Sequence, residues 1–489
     1  MDHEEAVHAM ISDLLHQGAG IKKIHRIVTG DPELGPVGLK KVERLMKDLR
    51  AKAADVTQAK SHETEARERR ADVVRHCQEA LDIAIKPNRG FGGGLMHVEA
   101  PSISIKLASG SIRPGFRQMD PSDQFEIASV TKTFVAALLL RVIELNMLPL
   151  HPGVDPANAG LEAELSMING LSEKLYCNMV MDSEGVDRSS EVTLRMLLSH
   201  RNGFVDHWDS EKIEFVTDEI YGDENKNRLW SVQETMDQLR KHMRKAGVTG
   251  KWRGNDFSKL CSGKCYKYTD SAYEIIGQVI EVATGITLRE AFRKYIYERV
   301  GIDYPDMYQT WREGPDEGLE NRDRCGNPSL SYRYERDWPT CLTEDRRQSI
   351  EYASGGFVSD TASLHKFIQS LFSGCFFDDP KWLSEMRTFL PTDCGDISYG
   401  LGFMRIRIGN TDLLEGHLGH GNVFMFAHVG NRGVASGVFL AGTLNFQDDE
   451  ETCEVGYNDG SKASVCEAGR AFVLIQKILK ILRKGKFVD

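Results

Sequence analysis

The sequence predicts a mixed α/β (α+β) protein in which an antiparallel β-sheet is flanked by helices and joined to a helical subdomain. Three observations lead to this fold class. An alternating strand pattern lies early, at residues 102–108, helical patterns fill the middle of the chain, and short strands with Gly and Asn turns follow residue 400. Strands at both ends with helices between them favour one sheet that carries helices on its faces.

Each element rests on its own periodicity or turn signal. The predicted helices cover residues 72–85, 129–146, 193–199, 271–284, 287–299, 361–372 and 467–484. The predicted strands cover residues 102–108, 399–408, 413–417, 423–429 and 434–444, and a glycine-rich break is expected at 90–94. The last helix is basic and amphipathic, which allows a membrane-surface role, but its wide apolar face favours burial on the sheet.

Residues 1–68 differ from the rest and predict a short helical N-terminal extension. Helical patterns around 4–17 and 39–54 are separated by a turn-rich piece, and residues 60–70 are almost wholly polar, as in an exposed helix or linker. We expect this extension to pack on the body of the protein. The alternative is an arm for a protein partner or for self-association.

The remaining residues, 69–489, are expected to form the main domain. Two stretches in it lack a clear pattern, near 206–264 and 303–349. Both are polar with scattered aromatic residues, which indicates insertions around a site or surface loops.

The composition and the patterning of the chain limit which partners and which cellular location are expected. The 489 residues contain 61 Lys and Arg against 72 Asp and Glu, for a net charge of −11, which argues against nucleic acid or an anionic membrane as partner. No uncharged apolar stretch reaches the roughly 18 residues of a membrane span. The acidic start lacks the basic and apolar regions of a signal peptide, so a cytoplasmic protein is expected.

The ten cysteines are mostly scattered and show no metal-ligand spacing. In a cytosolic protein, reduced structural thiols are expected, with a Cys261–Cys265 disulfide as the less favoured alternative. Neither a metal nor a cofactor is expected.

The strongest local motif is Ser-Val-Thr-Lys at residues 129–132, at the start of an apolar helix. Residues i and i+3 share one face of a helix, so Ser129 and Lys132 would lie side by side. Unpaired backbone N–H groups of the first turn stabilise negative charge near Ser129. A lysine in apolar surroundings could accept the serine proton. A capping serine beside a solvent-exposed lysine is the alternative for this tetrapeptide taken alone.

Two further motifs follow, each with a structural alternative. Tyr268 precedes a helix and could relay a proton as a phenolate, or could be a core aromatic ahead of an N-cap at Thr269 or Asp270. The segment 416–421, Gly-His-Leu-Gly-His-Gly, is expected between two strands, where it could approach a ligand or form a hairpin turn. A metal pair from its two histidines lacks further ligands.

The order of these motifs resembles the serine β-lactamase, penicillin-binding protein and esterase superfamily. Residues 268–270 correspond to the Tyr-x-Asn motif of its class C and esterase branch, and residues 417–419 correspond to the His-x-Gly motif. Three connecting segments are also similar, and the resemblance covers roughly residues 70–483. They are residues 192–204, 353–359 and 399–403.

The resemblance implies a serine hydrolase that cleaves a small ester or amide through an acyl-enzyme on Ser129. Lys132 and Tyr268 would share the proton transfers. Backbone N–H groups of Ser129 and of His420, just after Gly419, would form the oxyanion hole. His417 stands where β-lactamases carry a lysine that binds the substrate carboxylate, which favours ester or amide substrates over β-lactams.

Asp270 departs from the family, which usually has Asn at this position. An ionised Asp only accepts hydrogen bonds and would keep Lys132 charged, which favours Tyr268 as the base or indicates reduced activity. Acyl transfer from the same acyl-serine is one alternative function. A catalytically inactive binding or scaffold protein, helped by residues 1–68, is another.

Overall fold

The protein is described from a computed structural model. The residues that it describes are 3–16, 21–30, 39–85, 93–111, 117–208, 225, 228–252, 254, 265–302, 307–309, 332–335, 338–341, 346–408, 412–430, 435–444, 454–456, 462–464 and 469–487.

The α-helices range in length from single turns to the 47 residues of α3. In chain order they are α1 (His3–His16), α2 (Ile21–Gly30), α3 (Leu39–Ile85), α4 (Thr131–Glu144), α5 (Pro156–Ala159), α6 (Leu194–Leu198), α7 (Val232–Ala246), α8 (Asp270–Thr284), α9 (Leu288–Phe292), α10 (Glu298–Val300), α11 (Thr361–Phe372), α12 (Lys381–Met386) and α13 (Gly469–Lys484). A π-helical turn, Arg293–Tyr297, joins α9 to α10. The 3-10 turns are Ala128–Val130, Gly160–Glu162, Leu165–Met167, Glu173–Leu175, Ser189–Glu191 and Arg346–Glu351.

The strands fall into one large sheet and several short ladders. In chain order they are β1 (Gly93–Ala100), β2 (Ile103–Gly110), β3 (Phe125–Glu126), β4 (Val180–Met181), β5 (Gly250–Lys251), β6 (Met307–Gln309), β7 (Tyr332–Glu335), β8 (Trp338–Cys341), β9 (Phe357–Ser359), β10 (Leu390–Pro391), β11 (Ile397–Tyr399), β12 (Met404–Ile408), β13 (Asp412–Gly419), β14 (Val423–Val429), β15 (Ala435–Thr443), β16 (Glu454–Gly456) and β17 (Lys462–Ser464).

The large sheet confirms the predicted antiparallel architecture. Among the described residues it has the order β10-β11-β12-β13-β14-β15-β1-β2, and every neighbouring pair is antiparallel. Consecutive strands from β10 to β15 are neighbours in the sheet and are joined by short connections. Strands β1 and β2 come from the start of the domain and form the edge next to β15. Strands from the start and from the later part of this domain therefore build one sheet.

Both faces of the sheet are covered. Along β14 every side chain is buried, because alternate residues point to opposite faces and each face meets helices. On one face Phe426 contacts Phe472 of α13, with ring centroids 6.4 Å apart. On the other, Met425 and Ala427 join the core that contains α4 and α11. The expected packing of the last helix on the sheet is confirmed.

The chain divides into two compact units, Met1–Val74 and Arg75–Asp489, and the division falls within α3. In the first unit α1, α2 and the start of α3 enclose a small core of its own. Its buried residues are Val7, Ile11, Ile24, Val28, Val42 and Met46. A role for this unit in binding a partner stays a prediction.

Several element boundaries differ from those predicted. Gly93 and Gly94 were assigned to a break but begin β1, where they pair with Gly110 and Ser109 of β2. A Cβ on Gly93 would clash with the Ser109 carbonyl and the Met119 side chain, so the pairing requires glycine there. The single strand predicted at 399–408 is wrong, since residues 400–403 turn between β11 and β12. Residues 21–30, which no pattern identified, form α2.

The first insertion contains a helix that the sequence analysis missed. Ser231 caps α7, and the Glu234 side chain bonds back to the Ser231 backbone in a capping box. Gly247 ends the helix in a left-handed conformation. Those two signals were present in the sequence and could have identified it. Much of both insertions, including Cys261, lies outside the described residues.

Gly402 lets the turn before β12 approach α4. Its φ is +66°, and a Cβ there would lie 2.8 Å from the Lys132 carbonyl oxygen and would also meet Ala136. We expect Gly402→Ala to lower the free energy of unfolding by about 2–5 kcal/mol, the sum of backbone strain and overpacking. Gly374 (φ +75°) has open space around its Cβ position, so Gly374→Ala is the matched control for strain alone. If urea denaturation showed the same loss of unfolding free energy for Gly402→Ala and Gly374→Ala, the steric argument would be contradicted.

In the part of the chain that the structure covers, no helix is both long and apolar enough to cross a membrane.

Candidate active site

Ser129 lies in the 3-10 turn that joins β3 to α4 and is half-exposed. The preceding residue, Ala128, has a φ of +43°, which is costly for a residue with a Cβ. The turn is held from outside, because the Ile127 N–H donates to the Phe357 carbonyl at 2.9 Å on β9. Strained backbone of this kind persists only when its surroundings hold it, and here it presents the Ser129 side chain.

Lys132 follows in the first turn of α4 and is fully buried. Its Nζ donates to Ser129 Oγ at 3.0 Å and to the Ser354 carbonyl oxygen at 2.8 Å. It also forms an ion pair with Asp270 at the start of α8. Two of the three N–H donors of this ammonium group therefore have acceptors, and the ion pair with Asp270 offsets the burial of its charge. The helical spacing of Ser129 and Lys132 brings the two side chains together as the sequence predicted.

Tyr268 lies two residues before the start of α8 and is half-buried. Its ring centroid is 4.9 Å from Lys132 Nζ and 4.2 Å from the centroid of His200. The His200 Nδ1 accepts the Thr269 N–H at 3.1 Å, which fixes the backbone next to Tyr268. Burial and the nearby Lys132 charge lower the pKa of His200 well below its usual range. His200 is therefore a neutral support for the tyrosine.

Carboxyl groups crowd around this one ammonium. Asp206 accepts the backbone N–H groups of Asp270 (2.7 Å) and Trp208 (3.0 Å). Burial, followed by the charge of Asp270, raises the pKa of Asp206 to about 7. The same two causes raise the pKa of Glu351 well above its usual range. Both groups therefore keep their protons to higher pH than ordinary carboxyl groups, and the site disfavours further negative charge.

The third motif approaches Ser129 through β13. Gly419 ends this strand, and a Cβ on it would lie 2.6 Å from the Ile127 carbonyl oxygen and 3.2 Å from the Ala128 Cβ. Only glycine permits that distance between β13 and the turn that carries the serine. Because His420 is the next residue, its backbone also lies near the turn that carries Ser129.

His417 is buried in β13 rather than placed in a turn. Its Nε2 bonds to the Tyr399 hydroxyl at 2.9 Å, and its Nδ1 bonds to the Leu418 carbonyl. Burial and the Lys132 charge lower its pKa to about 3, so the ring is neutral at physiological pH. His420 is exposed. Among the described residues no group of three or more His, Cys, Asp or Glu side chains is arranged to hold a metal ion.

The sequence analysis missed several residues of this site. Asp206 lay at the edge of an insertion, and Glu351 followed an unpatterned stretch. Ser354 and Tyr399 were noticed only as parts of connecting segments. Their importance arises from contacts between distant parts of the chain, such as the 222 positions between Lys132 and Ser354. The connecting segment at 192–204 did carry a local signal, since it supplies His200.

Several solved structures share the fold of this chain. The D-amino acid amidase from Ochrobactrum anthropi SV3, solved with L-phenylalanine amide, superposes with a TM-score of 0.61 at 20% identity, over 85% of this chain and 99% of that one. A D-stereospecific amidohydrolase from Streptomyces sp. gives 0.56 at 20% identity, over 76% and 94%. The octameric penicillin-binding protein homologue from Pyrococcus abyssi gives 0.51 at 18% identity, over 75% and 72%.

The family assignment comes from the sequence match. A family model described as Beta-lactamase matches residues 106–451. That range begins in β2, ends after β15, and includes all three motifs. Because the match spans well over half of the chain, the protein belongs to the Beta-lactamase family.

Proposed function

We propose that the protein is a serine hydrolase that cleaves a small amide or ester through an acyl-enzyme on Ser129. The observation that carries this proposal is the buried Lys132 ammonium 3.0 Å from the half-exposed Ser129 Oγ, with the Tyr268 ring beside it. Burial of a charged lysine costs free energy unless the ammonium group is paired and hydrogen-bonded. Here its three partners are the serine, a carbonyl and Asp270, which is the arrangement of a group that activates a nucleophile.

The roles divide as follows. Ser129 Oγ attacks the substrate carbonyl carbon and forms the acyl ester. Lys132 already donates to that oxygen and is paired with Asp270, so the serine proton passes to another base, for which we propose the Tyr268 phenolate. The nearby ammonium stabilises a phenolate electrostatically. Tyr268 then protonates the leaving amine or alcohol, and water hydrolyses the ester by the reverse path.

The oxyanion formed in each step needs hydrogen-bond donors. We propose the backbone N–H groups of Ser129 and His420. The approach of Gly419 to Ile127 and Ala128 supports this pairing, because it brings the end of β13 beside the turn of Ser129. Loss of one such donor typically costs about 3 kcal/mol of transition-state stabilisation.

The charges of the site favour substrates without a carboxylate. His417 is neutral and bonded to Tyr399, so it supplies no cation at the position where the resemblance places a carboxylate-binding lysine. The raised pKa values of Asp206 and Glu351 mean that the site disfavours additional negative charge beside Asp270, so a substrate carboxylate would bind poorly. We therefore propose neutral or amine-bearing amides and esters as the substrate class, in preference to β-lactams. The amidases with the same fold are consistent with this choice.

The test is a panel of p-nitrophenyl acetate, p-nitrophenyl butyrate, phenylalanine amide and nitrocefin, followed by intact mass and peptide mapping. We expect turnover of an ester or amide and an acyl adduct on Ser129, with little or no turnover of nitrocefin. Rapid nitrocefin hydrolysis would contradict the substrate class. The absence of turnover and adduct with every compound would favour an inactive binding protein.

Tyr268→Phe tests the base. We expect kcat/KM for the ester or amide to fall by about 10²–10⁴-fold, because a positioned general base contributes that much. The matched control is Tyr266→Phe, a half-buried tyrosine two residues earlier whose ring lies 5.5 Å from the Arg201 guanidinium. Steady-state kinetics with both variants compares them. Equal effects of the two substitutions would count against Tyr268 as the base.

A further inference from the structure

Glu274 is a buried carboxylate one helical turn from Asp270. It lies on α8 and is 1% exposed. Residues i and i+4 share one face of a helix, so Asp270 and Glu274 face the same neighbours. Asp270 pairs with Lys132, but the mechanism above gives Glu274 no role.

The Glu274 carboxylate accepts two hydrogen bonds from a backbone segment. The Ala353 N–H donates to Oε2 at 3.3 Å, and the Ser354 N–H donates to Oε1 at 3.2 Å. Both donors are fully buried. Bonds from N–H groups to a charged acceptor are stronger than neutral ones, so this carboxylate fixes the peptide that precedes the Ser354 carbonyl.

The segment has little freedom to move. A Cβ on Gly277 would lie 2.7 Å from the Ala353 Cβ, so α8 and the segment are in direct contact. The Ser354 hydroxyl also donates to Glu351 Oε2 at 3.1 Å. Thus Ser354 is held by its N–H through Glu274 and by its hydroxyl through Glu351.

The carbonyl of the same residue is an acceptor of Lys132. Its distance from Nζ is 2.8 Å, shorter than the 3.0 Å from Nζ to Ser129 Oγ. Helix α8 therefore acts on Lys132 twice, directly through Asp270 and indirectly through Glu274 and the Ser354 backbone. Displacement of this carbonyl would change the direction in which Nζ donates to the serine.

We propose that Glu274 is a positioning residue for the acylation of Ser129, which it supports by fixing the Ser354 carbonyl that orients the Lys132 ammonium. This inference rests on the proposed acyl-serine function. Glu274 acts only through Lys132 and makes no contact with the substrate. Its loss should therefore slow acylation and leave substrate binding nearly unchanged.

Glu274→Gln is the test, because Gln has nearly the same shape but offers one acceptor oxygen in place of two. We expect the acylation rate to fall by about 10- to 100-fold, as for a small misplacement of a catalytic group, with KM nearly unchanged. The matched control is Glu281→Gln on the same helix, whose carboxylate also accepts a backbone N–H, that of Leu288 at 2.9 Å. It should leave the rate unchanged.

Hydrogen exchange supplies a readout that needs no substrate. In Glu274→Gln the amides of Ala353 and Ser354 should exchange at least about tenfold faster than in the parent, and in Glu281→Gln they should not. Unchanged exchange at both amides would overturn the proposal even if the parent formed no acyl adduct. Should Glu274→Gln fail to fold, Glu274→Asp keeps the charge at a shorter reach and is measured in the same way.

A double-mutant cycle with Asp270→Asn separates positioning from general damage. If both residues act through Lys132, the loss in the double variant is smaller than the product of the single losses. Fully multiplicative losses, or a rise in KM with kcat unchanged, would refute the role of Glu274 while leaving the acyl-serine function in place. Absence of any adduct in the parent would instead refute that function.

Discussion

Ser129→Ala is expected to abolish the acyl adduct and to lower kcat/KM by at least about 10³-fold. The acyl group needs an oxygen to form its ester, and removal of a hydrolase nucleophile costs several orders of magnitude even when the oxyanion hole remains. Because Ser129 is half-exposed and Lys132 keeps its bonds to Ser354 and Asp270, the fold should survive the substitution.

The measurement is intact mass after incubation with the best substrate, together with the thermal midpoint of each protein. Ser384→Ala, an exposed serine on α12, is the control and should keep both the adduct and the rate. An adduct of equal yield in Ser129→Ala would place the nucleophile elsewhere in the chain.

Lys132→Met is expected to lower the acylation rate by about 10³-fold, as for Ser129→Ala, and also to destabilise the protein. Met fills much of the same volume without a charge. Removing one partner of a buried ion pair typically costs about 3–5 kcal/mol, because the other charge stays behind. In this site Asp270 would remain beside Asp206 and Glu351 with no ammonium to balance them.

The destabilisation should depend on pH. In the parent, burial and the charge of Asp270 raise the pKa of Asp206 from 3.8 to about 7. The folded protein then holds a proton that the unfolded chain releases, so stability falls as pH rises from about 4 to 7. The Lys132 charge lowers this pKa. Without Lys132 the pKa of Asp206 should rise further, so the free energy of unfolding should continue to fall to higher pH than in the parent.

Urea denaturation at pH 5 and pH 8 tests this prediction. We expect Lys132→Met to be much less stable than the parent at pH 8 and closer to it at pH 5. Lys132→Met combined with Asp270→Asn should recover part of the loss at pH 8, since one of the crowded charges is gone. A variant with the same deficit at both pH values would show that lost packing, not charge, is responsible.

Local patterns in the sequence determined the elements that build the site. The apolar run after Lys132 predicted α4, and the spacing of Ser129 and Lys132 placed both side chains on one helical face. The order of the motifs, with strands late in the chain, predicted the antiparallel sheet. These features depend on residues a few positions apart, so they are visible without the fold.

Tertiary structure decided which other groups reach Lys132. Ser354 and Glu351 come from a segment more than 200 positions away, and Asp206 meets Asp270 across 64 positions. Long-range packing also buries His417 and lowers its pKa, which no feature of its own motif indicated. Such contacts depend on where the chain folds back on itself, and burial depends on all neighbours at once. The sequence by itself therefore determined the helix and the pair of Ser129 and Lys132, whereas only the fold decided the hydrogen bonds and the carboxyl groups that surround them.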